Sequence, residues 1–80
     1  MKHLIDVIEV KPQRDKTLLL VFENNKKKIF DMKPLLSKKP FDAIANEKMF
    51  MRARVGLGTV VWPKDIDIDP ETLWERSKDI

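Results

Sequence analysis

The apolar positions of the chain change period along its length, and the changes mark its elements. Residues 4–10 mix β-branched side chains with acids, Ile5 and Val7 alternating against Leu4, Ile8 and Val10. Neither face is wholly apolar, and the segment is predicted to be a strand. Residues 11–16 are polar and contain Pro12, which has no N–H for a ladder, so a turn is expected. Residues 17–23 carry the strongest strand signal: Leu18, Leu19, Leu20, Val21 and Phe22 are apolar at both parities. That pattern suits a central strand covered on both sides, or one covered by a helix and a partner. Asn24-Asn25-Lys26 then supplies a hairpin turn, because asparagine tolerates positive φ, and residues 27–31 return as the next strand.

Pro34 interrupts the ladder and predicts a turn or single helical turn. Phe41, Ile44 and Ala45 stand at helical spacing, and Asn46 is expected to end that short helix. In residues 47–55, Met49, Met51, Ala53 and Val55 alternate with Phe50, Arg52 and Arg54, which predicts a half-buried strand with Arg52 and Arg54 on one face. Gly56-Leu57-Gly58 marks a turn or bulge, and residues 59–62 form a strand stopped by Pro63. Ile66 and Ile68 are expected inward, with Asp65 and Asp67 outward. Asp69-Pro70-Glu71 is a helix start, with an acceptor at the cap, proline at the first position and an acid in the first turn. The closing helix carries Leu73, Trp74 and Ser77 and should fray by Lys78. No repeat occurs. The expected fold is α+β, a small antiparallel β-meander of about five strands with two short helices, in a single domain over residues 1–80.

The chain has 80 residues, 42% of them hydrophobic and 36% charged, too apolar for a disordered tail and too charged for a membrane protein. It contains no cysteine, which excludes disulfides, thiolate metal sites and thiol nucleophiles and fits a reducing compartment. Its longest apolar run, residues 18–22, is far below the ~20 residues of a membrane span. A cytoplasmic protein with no membrane association is expected. The net charge of +3 conceals a polarity: residues 1–40 hold ten basic and five acidic side chains, residues 41–80 six basic and eight acidic. Such halves can attract each other within one fold or between copies, the latter making a homo-oligomer.

Read in order, Leu18-x-Leu20-x-Phe22, Phe30-Asp31-Met32, Pro34-Leu35-Leu36, Phe41, Phe50, Val60-x-Trp62-Pro63 and Ile66-Asp67-Ile68-Asp69-Pro70-x-x-Leu73 resemble the bacterial family catalogued as domain of unknown function 2442. The resemblance runs from about Leu4 to Trp74, and its most specific piece is Trp62-Pro63 followed by Ile66, Asp67, Ile68, Asp69 and Pro70. Two departures concern turns: a glycine is often expected after the second strand and after the tryptophan-proline, where this chain has Asn25-Lys26 and Lys64-Asp65. The resemblance implies no catalytic residues. It implies a small accessory protein, often encoded beside another small protein in a toxin–antitoxin-like arrangement. Some relatives continue into a helix-turn-helix domain; this chain stops at Ile80, so DNA reading is not carried over.

Asp65, Asp67 and Asp69 imitate the first ligands of a calcium loop, but Pro70 replaces its glycine and Arg76 its closing glutamate, so no metal is expected. His3 is the single imidazole and, near a terminus, is expected at the surface. With serine at positions 37 and 77 alone, there is no nucleophile–base pair, and neither enzyme activity nor a cofactor is expected. Lys26, Lys27 and Lys28, with Lys33, Lys38, Lys39, Arg52 and Arg54, form the best candidate polyanion surface, although stacking aromatics and a recognition helix are lacking. Lysines in a hairpin also keep edge strands from pairing with other chains. Trp62 is expected in the core; Trp74 and Leu57 are candidate contact residues, with Met51 beside them. The sequence thus favours a non-enzymatic protein–protein interaction module, with nucleic-acid binding through the lysine-rich hairpin as the alternative.

Overall fold

Strand alternation and a few caps generate two small sheets. In the structure, a computed structural model that describes residues 5–80, β1 (Val7–Pro12), β2 (Thr17–Phe22), β3 (Lys27–Asp31) and β7 (Lys78–Asp79) form one sheet in the order β1-β2-β3-β7. β4 (Arg54–Gly56), β5 (Thr59–Trp62) and β6 (Ile66–Asp67) form a second, three-stranded sheet. Every pairing is antiparallel. Two 3-10 turns, Lys33–Leu35 and Phe41–Ile44, and two α-helices, α1 (Glu47–Phe50) and α2 (Pro70–Arg76), complete the α+β fold. The expectations for His3 and Leu4 fall outside the described residues.

The expected strand over residues 47–55 is a helix followed by a turn, and pairing begins at Arg54. Asn46 does not end a helix; its side chain accepts from the Met49 N–H at 2.9 Å and caps the start of α1. Capping satisfies an orphan N–H locally, and this outweighs the alternation of Met49, Met51 and Ala53. Arg52 therefore lies in a turn and Arg54 in a strand, so the two share no ladder face. β1 extends through Lys11 and Pro12, which were expected in the turn; as an edge strand it tolerates a missing N–H. The closing helix ends at Arg76, before Lys78 as expected, and the tail continues as a strand, with Lys78 and Asp79 paired to Ile29 and Lys28.

The core lies where one face of each sheet meets the helices. Leu18, Leu20 and Phe22 from β2 are wholly buried with Phe50, Val60 and Leu73. Each such side chain contributes about 1.5–3 kcal/mol of burial free energy. Trp62 fills the centre, donating its indole N–H to the Phe50 carbonyl at 3.0 Å, so α1 and β5 are joined through a satisfied polar handle. Ile66 and Ile68 are buried while Asp65 and Asp67 face solvent, as the alternation predicts. The Ile68 carbonyl accepts from the Thr59 hydroxyl.

The sheets are stitched where the β4–β5 turn meets β1. The Val7 N–H donates to the Gly58 carbonyl at 2.9 Å. Gly58 has φ +77, and a Cβ there would sit 2.6 Å from Asp6 Oδ1, so this turn requires glycine for both conformation and space. Positive φ also occurs at Asn25 (66°), Lys64 (71°) and Asp65 (59°), the two turns where the family resemblance leads one to expect glycine.

Candidate interaction surface

The register of the first sheet assigns alternate residues of β2 and β3 to opposite destinies. Leu18, Leu20, Phe22 and Phe30 point inward and are buried. Leu19, Val21 and Ile29 point outward and remain half-buried, with Arg76 at the end of α2 beside Ile29. Cross-strand partners share a face, so two rows can be read directly. Lys11 pairs with Leu19, Leu19 with Ile29, and Ile29 with Lys78. Glu9 pairs with Val21, and Val21 with Lys27. The result is an apolar patch with cations at three corners and an acid at the fourth. An open groove of about 590 Å³ lies over its β1–β2 side, lined by Glu9, Val10, Lys11, Leu19, Val21 and Lys27.

Toward the far end of this face, Asp31 accepts from the Lys33 N–H at 3.0 Å and pairs with the Lys33 ammonium at 3.1 Å. The backbone N–H of Lys33 is the main cause that holds the Asp31 carboxyl below its ordinary value of 3.8, with the Lys33 and Lys78 charges adding to it. In the β1–β2 turn, the Thr17 hydroxyl lies 2.6 Å from Asp15 Oδ1 and keeps that carboxyl low as well. Both carboxylates are therefore held as anions at neutral pH.

Lys26, Lys27 and Lys28 do not form one basic patch. Lys27 is exposed on the outer face, whereas Lys28 is buried on the inner one. Lys28 Nζ donates to the Trp74 carbonyl at 2.8 Å, lies 4.3 Å from the Trp74 ring centroid and 3.7 Å from Asp79 Oδ1. Three partners make burial of its ammonium tolerable. Lys26 pairs with Asp79 Oδ2 at 3.2 Å. Of the two ways in which the charge-polarised halves could attract, this one operates within the chain.

Trp74 is not a free anchor. It is half-buried, with its ring edge-to-face against Phe22 at 5.0 Å and roofed by Lys28. Leu57 is fully exposed at the tip of the β4–β5 turn, and Met51 is exposed at 41%. Arg54 lies beside Leu57, Asp65 and Asp67 around a separate hollow on the second sheet, away from Lys26 and Lys27 in the sheet topology. Trp62, Ile66 and Ile68 are core, Pro63 and Lys64 turn the chain from β5 to β6, and Asp69 caps α2 by accepting from the Glu71 N–H, with Pro70 at its first position. These motif residues serve the fold. Lys11, Leu19, Val21, Ile29 and Lys78 were not singled out from the sequence. Their signal was the two-sided apolar pattern of residues 17–23, which exceeds what one core requires.

Among the described residues no helix is long and apolar enough to cross a membrane. The model of the family described as "Protein of unknown function (DUF2442)" matches residues 7–79. No curated protein and no solved structure is a significant match to the chain.

Proposed function

For a chain that belongs to the DUF2442 family of proteins of unknown function, we propose a non-enzymatic interaction module that acts by binding another protein. The observation that carries this reading is the outer face of the first sheet, where Leu19, Val21 and Ile29 lie half-buried between exposed charges. Apolar side chains rimmed by charge are the composition of a recognition surface, and a strand apolar at both parities is otherwise unaccounted for. The partner is a co-encoded small protein, toward which this chain acts as an accessory or antidote-like component. A cytoplasmic setting accords with the absence of cysteine.

Nucleic-acid binding is the weaker reading. Lys26 and Lys28, two of the three hairpin lysines, are engaged by Asp79, and no aromatic ring stands among the cross-strand partners of the outer face to stack a base. Co-purification of the chain with the product of its neighbouring gene tests the proposal. A stoichiometric complex at micromolar concentration is expected, and its absence overturns the reading.

A further inference from the structure

Resting on the interaction reading above, we propose that the outer face of β1-β2-β3-β7 receives an amphipathic helix of the partner protein, with acids on the flank above Lys27 and Lys78 and a mixed flank above Lys11 and Glu9. Strands lie about 4.8 Å apart, so the row Lys11–Leu19–Ile29–Lys78 spans about 14 Å. A helix about 10 Å across covers the two central strands and brings its flanks over the outer two. Its apolar stripe then meets Leu19, Val21 and Ile29, the half-buried residues of that centre. The patch is far smaller than the ~20–30 residues per side of a standard interface between folded domains, which suits a single segment.

Charge selects the occupant. A second copy laid face to face would oppose Lys11, Lys27 and Lys78 with the same three cations, relieved by Glu9 and, one row beyond, by Asp31, whose carboxylate is already paired with Lys33. A nucleic acid would gain nothing from Leu19, Val21 and Ile29 and would be repelled by Glu9. An acidic helix satisfies three corners by charge and the centre by burial, and a single base on it answers Glu9. Lys11 and Lys27 are exposed, so their charges can be reversed without disturbing the core.

The test uses the full chain and a fluorescein-labelled synthetic helical peptide of about 14 residues, with leucines in one stripe, glutamates set for the three lysine corners and a lysine for the fourth. Saturable binding is expected, with amide NMR shifts centred on Leu19, Val21 and Ile29. The double variant K11E/K27E is expected to weaken binding by about tenfold or more while its melting temperature stays unchanged. The proposal is overturned by shifts centred elsewhere, by no shifts at about 1 mM peptide, or by equal binding of the charge-inverted peptide or of polyglutamate lacking leucine. It is also overturned if K11E/K27E retains the co-encoded partner as well as the parent chain does. That last result leaves the interaction reading standing, whereas failure of the parent chain to hold any partner removes the interaction reading itself.

Discussion

Leu20 and Leu19 are neighbours in β2, as are Lys28 and Lys27 in β3, yet each pair is divided between the two faces of one sheet. Leu20 is wholly buried and Lys28 is held against Trp74, while Leu19 is half-buried and Lys27 is exposed. The inner parity is committed to folding. The outer parity carries apolar and charged groups that folding uses less, and so its composition is freer to answer to a partner. In a chain of 80 residues, where apolar residues are needed for the core, leaving Leu19, Val21 and Ile29 on the outer face is informative.

The contrast is broken most severely by truncating the leucines. Leu20→Ala is expected to cost about 2–5 kcal/mol in urea denaturation, because it opens a cavity, and Leu19→Ala about 1 kcal/mol or less. Equal losses would mean that the outer face is also core. The lysines give a second, smaller test. Lys28→Ala should cost about 1–2 kcal/mol by removing the hydrogen bond to the Trp74 carbonyl and the ring contact, against about 0.5 kcal/mol or less for Lys27→Ala.

Lys64→Gly separates stability from recognition. It relieves a left-handed residue and should add about 0.5–1 kcal/mol, read as a higher melting temperature, with no change at the outer face. The smallest effect is that of pH. Asp15 and Asp31 have carboxyls lowered in the folded state, so their contribution is present above the ordinary carboxylate value of 3.8 and is lost as pH falls through the lowered folded values. Asp31→Asn should lower the melting temperature slightly at pH about 7, where the contribution is fully present, and converge with the parent chain below pH about 4, seen as a flatter melting temperature against pH.

Much of the fold was legible where local rules agree. Thr17–Phe22, Lys27–Asp31 and Thr59–Trp62 follow from period-two runs bounded by turn residues, and α2 from Asp69-Pro70. Residues 47–55 are ambiguous by pattern, because methionine and alanine fit either period. What decided it was the long-range seat of Phe50 under Trp62 together with the Asn46 cap. β7 is two residues long and has no local signal; it exists because β3 offers an edge and Lys26 and Lys28 offer a salt bridge to Asp79. The surface was less legible than the fold. Lys27 and Lys28 are neighbours in β3 and so face opposite sides of the sheet, which separates Lys28 from the exposed basic positions. The rows that build the outer face needed the register, which the Ile8 bulge in β1 shifts between Val7 and Glu9.

The two tryptophans give the molecule a pair of built-in optical reporters. Trp62 sits in a dry, hydrogen-bonded site and should emit toward the blue, following the packing of α1 against β5. Trp74 lies beneath an ammonium group, so its emission depends on Lys28 and on the Asp79 strand that helps to hold it. Single replacement of either indole by phenylalanine would let one follow the central core and the tail-hairpin junction separately during unfolding, without any added label.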